Sequence, residues 1–207
     1  MIHIASKRTK LENIQDKYPN AIICDVTSTS KNSLVKLSPF YPHGNIPVPF
    51  SEGFYGESVE GIWQALKIFE NENIDLSTLS NASMKGLKRT CKTHGRVIGH
   101  RKGINGTELL DYQTAKLTIY IPTYKWVLEN KVTAIIDKMR IALTTHNLVF
   151  LDYNISENIL DKTKPLSHAY LIKAYLLGLF PFETKQVIPY FDSIDSISLQ
   201  SALFIIK

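Results

Sequence analysis

The chain has 207 residues, of which 44% are hydrophobic and 21% charged, and its formal net charge is +5. This composition is typical of a globular protein and excludes a low-complexity or disordered chain, which would contain fewer apolar residues. No run of about 18 apolar residues and no apolar stretch of signal-peptide length is present, so we expect no membrane span and a cytoplasmic location. The two cysteines lie outside any CxxC pair, which argues against a zinc site and favours a reducing compartment.

The first quarter of the chain predicts a β-α-β unit followed by a packed loop. Residues 2–6 alternate like a strand, residues 9–19 have the spacing of a short amphipathic helix, and residues 21–28 form an apolar run rich in β-branched side chains. Residues 29–56 contain four prolines and several aromatic side chains. Disordered segments are poor in aromatic residues, so we expect this long loop to pack against the domain.

The remaining sequence predicts mainly helices and one further strand. A helix begins at the N-cap Ser58 and runs to about Asn71, and a second helix is predicted over 76–95, ending at Gly95. The other predicted elements are a helix rather than a strand over 108–121 that breaks before Pro122, one kinked or two short helices over 122–146, a strand over 148–154 and a helix over 167–180. The segment 181–207 is mixed and is assigned to no element. We therefore expect one mostly helical α+β domain, with a small sheet built from the N-terminal strands and residues 148–154.

Four side chains on the first of these helices form a polar face. Glu60, Trp63, Gln64 and Lys67 are spaced i, i+3, i+4 and i+7, which places them on one side of a helix. The simplest interpretation is that Glu60 complements the helix dipole while the other polar groups are solvated. The aromatic loop that leads directly into the helix favours a binding site instead.

A second candidate is the basic segment 85–102. It holds seven lysines and arginines and no acidic residue, with Gly95 and Gly99 inside it and Gly103 directly after it. Concentrated positive charge next to a flexible backbone predicts a phosphate or pyrophosphate site, although a solvated basic surface is the alternative. Cys91 lies among these cations and is a candidate nucleophile if they lower the pKa of its thiol, but no oxyanion-hole pattern or orienting acid is visible, and a buried or incidental cysteine is the favoured interpretation.

A third candidate follows the strand 148–154. Asp152 and Asn154 project to the same side near its end, Ser167 is placed to cap the next helix, and His168 lies in the first turn of that helix. Polar groups at the end of a buried strand are common in binding sites, while capping and loop structure are the alternative explanation.

The order of these three features resembles the NADAR family, a group of small domains linked to NAD and ADP-ribose chemistry. The matching stretches are "LSPFYPHGNIPV" (37–48), "SVEGIWQALKIF" (58–69) and "HGRVIGH" (94–100). The resemblance places Glu60, Gln64 and Lys67 on the helix motif and Arg96 on a Gly-Arg turn. The chain departs from the pattern at Gly61 and Trp63, and it lacks the C-terminal Trp-Gly signature.

The resemblance implies an N-glycosidase that cleaves an N-ribosidic bond in an ADP-ribosyl or phosphoribosyl-type nucleotide, including an ADP-ribosylated base. It also implies a NADAR-like core over 37–180, with 1–36 as a β-α-β extension and 181–207 as a C-terminal segment. The predicted catalytic residues are Glu60 and Asp152. The predicted substrate-binding residues are Ser38, Phe40, Tyr41, Trp63, Gln64, Lys67, Arg89, Arg96, His100, Arg101, Asn154 and His168.

No metal or cofactor is expected, and the predicted partner is a nucleotide or an ADP-ribose-like small molecule. Two alternatives stay open at this point. The protein could bind such nucleotides without catalysis, or it could bind nucleic acid through the basic segment. The sequence predicts no oligomeric state.

Overall fold

The computed structural model describes residues 1–180, so the unassigned segment 181–207 lies outside the described residues. The described part is an α+β domain, as predicted. Its strands are β1 (Ile2–Ser6), β2 (Ile22–Asp25), β3 (Ile46–Pro47), β4 (Tyr55–Gly56), β5 (Lys67–Phe69), β6 (Val97–Arg101), β7 (Leu109–Leu110) and β8 (Leu148–Asp152). Its helices are α1 (Leu11–Lys17), α2 (Val59–Ala65), α3 (Cys91–His94), α4 (Tyr112–Ala115), α5 (Ile121–Asn130), α6 (Thr133–Leu143) and α7 (His168–Leu176).

The predicted sheet is confirmed, and it is parallel. Strand β8 lies between β1 and β2 and pairs with both of them in parallel. Its side chains alternate between two apolar layers: Val149 and Leu151 pack against Ile14 of α1 on one face, and Phe150 joins the main core on the other. Because β8 pairs with both N-terminal strands, residues 1–36 share a sheet with the predicted core. All three strands end at the same edge, where ligands often bind in parallel sheets.

The first polar helix is shorter than predicted. It ends at Ala65, and Lys67 starts strand β5, which pairs with β6 in the antiparallel sheet β5-β6-β7. The predicted extent to Asn71 is therefore wrong. The Arg89 guanidinium donates hydrogen bonds to the carbonyls of Gln64 and Lys67, at 3.0 and 2.7 Å, and so binds carbonyls at the end of the helix that would otherwise lack partners.

The predicted helix over 76–95 is also wrong. Only a 3₁₀ turn (Leu76–Thr78) and the short α3 are present. Between them, the Asn81 side chain accepts hydrogen bonds from the backbone and hydroxyl of Ser83, and Met84 has a positive φ of 59°. These local side-chain bonds compete with helix formation.

The chain from Asp111 to Asn130 is almost continuously helical. Asp111 caps α4, a π turn (Lys116–Tyr120) follows, and α5 continues through Pro122. The prediction of a helix rather than a strand within 108–121 is confirmed from Asp111 onward, but the predicted break before Pro122 is wrong. A π turn lengthens the hydrogen-bonded ring, and this allows the helix to continue past a residue that has no N–H to donate. One of the two options for residues 122–146 was a pair of short helices, and α5 and α6 are that pair. The predicted strand near residue 150 and the predicted helix after Ser167 are also present. None of the helices within residues 1–180 is long and apolar enough to cross a membrane.

Candidate active site

A cavity of about 420 Å³ lies at the carboxyl edge of the parallel sheet. Its walls come from the ends of β2 and β8, from α2, from the π turn and from the segment around Arg89. This size is within the range of small-molecule sites. Both predicted catalytic residues, Glu60 and Asp152, line it. The predicted binding residues that also line it are Ser38, Phe40, Trp63, Gln64, Lys67, Arg89, Asn154 and His168.

Glu60 is buried against this cavity and is not a solvated dipole partner. The residue is only 8% exposed, and its backbone N–H donates to the Pro39 carbonyl at 2.9 Å. Ser58 caps the helix by accepting a hydrogen bond from the Gly61 N–H, which fixes the first turn. Gln64 Nε2 donates to Glu60 Oε1 at 2.8 Å, and among the described residues no donor binds the second oxygen, Oε2. One carboxylate oxygen is therefore available to a ligand.

Gln64 links this carboxylate to the Lys67 ammonium and to the backbone of Arg89. Its Oε1 accepts hydrogen bonds from Lys67 Nζ at 3.1 Å and from the Arg89 backbone N–H at 3.2 Å. Burial lowers the pKa of Lys67, and the negative charge of Glu60 partly opposes that effect. The Arg89 guanidinium itself binds three backbone carbonyls and lies 3.3 Å from Glu72 Oε2. Arg89 therefore lines the cavity while its Nη1 and Nη2 atoms are bound to backbone carbonyls of the fold.

Asp152 forms a second anchored carboxylate, at the end of β8. Its Oδ2 accepts a hydrogen bond from Ser167 Oγ at 2.7 Å and lies 2.9 Å from His168 Nδ1. His168 Nε2 faces the Val26 carbonyl at 2.9 Å, so each ring nitrogen of His168 lies against an acceptor oxygen. Burial acts to raise the pKa of Asp152, but the hydrogen bonds from His168 and Ser167 outweigh it and hold the pKa below its usual value. No donor in residues 1–180 binds Oδ1, so this oxygen also is available to a ligand.

Aromatic rings form one wall of the cavity. Trp63 meets Tyr120 and Tyr112 edge-on, with ring centroids 5.6 and 6.1 Å apart. Phe40 lies at the mouth beneath Lys88, whose Nζ is 5.5 Å from the ring centroid. Flat faces of this kind accept a planar heterocycle by stacking.

Sequence reasoning missed several lining residues, among them Tyr112, Lys116 and Tyr120. These three recur every four residues across α4 and the π turn, and this spacing was the signal that could have identified them. Lys116 is 2% exposed, donates to the Asp161 carbonyl at 2.9 Å and lies over the Tyr112 ring; burial lowers its pKa. Burial and the nearby charge of Glu60 raise the pKa of Tyr120 well above its usual value, so this phenol stays protonated and can donate a hydrogen bond.

Four predicted binding residues lie outside the cavity lining. His100 packs behind Trp63 with ring centroids 3.7 Å apart, and Tyr41 packs against His43. Arg96 Nε binds Glu70 at 3.1 Å, and Arg101 Nη2 donates to Asn73 Oδ1 at 2.7 Å.

These contacts correct the prediction that the basic segment 85–102 converges on one anion. Glu72 lies within ion-pair distance of Arg89 and His94, and Lys102 pairs with Glu108 at 2.7 Å, so acidic residues outside the segment neutralise much of its charge. Of its seven lysines and arginines, only Lys88 and Arg89 line the cavity. Cys91 is exposed at the start of α3 and is not a lining residue. Asn154 does line the cavity, but its amide donates to the Pro165 carbonyl and accepts from the Ser156 N–H.

The chain belongs to a family of unknown function (DUF6939), whose family model matches residues 6–172. The matched range includes the last residue of β1, all of β2 and β8, and every wall of the cavity described above. No curated protein and no solved structure shows significant similarity to the chain. Within residues 1–180, no group of three or more His, Cys, Asp or Glu side chains is arranged to hold a metal ion.

Proposed function

We propose that this protein is an N-glycosidase that hydrolyses the N-ribosidic bond of a nucleotide, of the ADP-ribosyl or phosphoribosyl type. One observation carries the proposal: two buried carboxylates, Glu60 and Asp152, line the same cavity as a wall of aromatic rings, and each presents one oxygen that no described residue binds. The resemblance to the NADAR family supports the same reaction.

The reaction needs carboxylates because of the charge that it develops. When the bond between C1′ and the base nitrogen breaks, its electron pair leaves with the base and positive charge builds up on C1′ and the ring oxygen of the ribose. A carboxylate held in a partly dry cavity stabilises that charge more strongly than one in water. A carboxylate oxygen can also take a proton from the water that attacks C1′.

The two carboxylates differ in their surroundings, and this assigns their roles in the proposal. Asp152 is bound by His168 and Ser167, which hold its pKa below the usual value and make it a weak base; it stabilises the cationic sugar. Glu60 accepts a hydrogen bond from the neutral amide of Gln64 and lines the cavity together with Trp63. Its Oε2 takes the proton from the attacking water. The base stacks on the aromatic wall, where the protonated Tyr120 phenol can donate a hydrogen bond to it.

The anionic part of the nucleotide binds at the side of the cavity that carries Lys67 and Lys88. The Lys67 ammonium has no carboxylate within ion-pair distance among the described residues, and Lys88 is exposed at the mouth. Phosphate oxygens would supply the charge that these two cations lack. A nucleotide is therefore expected to bind more tightly than the corresponding nucleoside.

The test is release of the free base by the purified protein. The protein is incubated with NAD, ADP-ribosylated bases and nucleoside 5′-monophosphates, and products are identified by liquid chromatography and mass spectrometry. Glu60→Gln should lower the rate by about 10²-fold or more, the range typical of a lost general base. Glu12→Gln, an exposed carboxylate on α1, is the matched control and should keep the full rate.

Two other outcomes would replace the proposal. A ligand that binds tightly, stays intact and is lost in Lys88→Ala would make the protein a nucleotide-binding module. Binding to RNA or DNA that weakens steeply with salt, with no release of base, would indicate a nucleic-acid partner.

A further inference from the structure

The side chain of Gln64 has only one orientation that satisfies its neighbours. Its amide lies between three groups: Lys67 Nζ, the Arg89 backbone N–H and Glu60 Oε1. An ammonium and a backbone N–H can only donate hydrogen bonds. The amide oxygen must therefore face these two donors, and the amide nitrogen must face Glu60.

This fixed orientation has a consequence for the carboxylate. Gln64 Nε2 can only donate, so Glu60 Oε1 must act as an acceptor. Gln64 is 3% exposed, and Arg89, which supplies one of the two donors, is held by its own bonds to three backbone carbonyls. Turning the amide over would place its NH₂ group against two donors in a buried site, where unsatisfied groups are costly.

We propose that Gln64 is a positioning residue that orients Glu60, and that this role, not contact with the substrate, is its part in the site. It occupies Oε1 and leaves Oε2 as the oxygen that reacts. The role of Oε2 as the reacting oxygen rests on the proposed function, but the hydrogen-bond arrangement itself can be tested without any substrate.

The test exchanges the two side chains. Glu and Gln have almost the same shape, so Gln64→Glu places two carboxylates face to face, whereas the double variant Glu60→Gln, Gln64→Glu restores one acid and one amide. In the double variant the new carboxylate at position 64 accepts from Lys67, from Arg89 and from the new amide at position 60. All of its neighbours are satisfied, but the acid no longer presents an oxygen at the position of Glu60 Oε2.

Thermal unfolding of the four proteins at pH 7.5 gives the first readout. Gln64→Glu should lower the melting temperature by about 5 °C or more, since a loss of a few kcal/mol shifts a domain of this size by several degrees. The double variant should recover most of that loss. If instead the losses of the two single variants simply add in the double variant, the two side chains are not coupled and the inference is overturned. Gln15→Glu, on the exposed face of α1, should leave the melting temperature unchanged within about 1 °C.

NMR titration of ¹³C-carboxyl-labelled glutamate gives a readout that a purely structural role would not move. The Glu60 resonance is identified by its absence in Glu60→Gln. In Gln64→Glu the acidic pair should titrate at least about one pH unit above Glu60 of the parent protein, because two adjacent carboxylates share a proton. The other charged or titratable groups lining the cavity near this pair are Lys67, Lys88, Arg89, Tyr112, Lys116, Tyr120, Asp152 and His168, and they are unchanged in both proteins.

The two proposals fail in different ways. The double variant should fold like the parent protein and lose base release, which separates positioning from stability. Should the double variant retain the parent rate, Gln64 does not direct the reacting oxygen and the inference is wrong. Coupling in the thermal cycle with no release of base from any nucleotide by the parent protein overturns the proposed function and leaves the orientation of Gln64 intact.

Discussion

His100 offers a sharp test of how the wall behind the cavity is built. Its ring stacks on Trp63, it is 1% exposed, and neither ring nitrogen has a hydrogen-bond partner among the described residues. Burial, with a further contribution from the positive charge of Lys67, lowers its pKa from 6.5 to about 3. His100 is therefore neutral in the folded protein throughout the ordinary pH range, while in the unfolded chain it takes up a proton below about pH 6.5.

The size of the change in the free energy of unfolding with pH follows from this difference in proton uptake. A group whose pKa is lower in the folded state stabilises the fold fully above its unfolded pKa, and that stabilisation is lost as the pH falls towards the folded value. Between pH 7.5 and pH 5.0 the unfolded chain gains nearly one proton at this position and the folded chain gains none. The free energy of unfolding should therefore fall by about 2 kcal/mol over that interval because of His100 alone.

Replacing His100 with Phe keeps an aromatic ring against Trp63 and removes the titration. Urea denaturation of the two proteins at both pH values gives four free energies of unfolding. The free energy of unfolding should fall between pH 7.5 and pH 5.0 by about 2 kcal/mol less in His100→Phe than in the parent protein. His100→Leu should show the same reduced pH dependence, because it also removes the titrating ring. At pH 7.5 the Phe variant should be no less stable than the parent protein, because two unpartnered buried nitrogens are removed. An identical pH dependence in all three proteins would refute the reasoning.

Three further substitutions test the supports of the site by chemical denaturation. Gly61→Ala should destabilise the protein by roughly 1–3 kcal/mol, because the new Cβ would lie 2.6 Å from the Thr78 carbonyl oxygen; no loss would mean that α2 has room to move. Arg89→Lys should cost about 3 kcal/mol, since a lysine cannot bind the three carbonyls together, while Arg96→Lys in an exposed ion pair should change stability by less than about 1 kcal/mol. Equal effects of the two arginine substitutions would contradict the buried role of Arg89. Asp152→Asn should cost roughly 3–5 kcal/mol because it removes the buried carboxylate that His168 and Ser167 bind, and a variant as stable as the parent protein would contradict that anchoring role.

The sequence predicted those parts of the fold that depend on local patterns. The alternation in residues 2–6, the apolar runs near 22 and 150, and the cap at Ser58 each act within a few neighbours, and each predicted element is present. The spacing of Glu60 and Gln64 also placed them correctly on one face, because both lie in the first two turns of α2. The fourth member of that face, Lys67, reaches Gln64 from strand β5 and not from a helix.

The errors concern features that are decided by distant partners. The length of α2 depends on pairing with β6 and on Arg89, both more than twenty residues away. The basic segment looked like an anion site because its acidic partners, Glu70, Glu72 and Glu108, lie outside it in sequence. The contribution of the π turn was missed because its helical pattern can be read equally well as a core-facing helix. Cavities are assembled from such long-range contacts, and one sequence carries little information about them.

The proposed function depends most on Glu60, which takes a proton from the water that attacks the ribosyl C1′ in the cavity. The most direct measurement is the reaction in ¹⁸O-labelled water, followed by mass spectrometry of the sugar product for the parent protein, Glu60→Gln and Glu12→Gln. The account predicts a free base and a ribosyl product with ¹⁸O at C1′ from the parent and the Glu12 variant, and almost none from the Glu60 variant. Full incorporation by Glu60→Gln, or intact nucleotide after incubation with the parent protein, would contradict it.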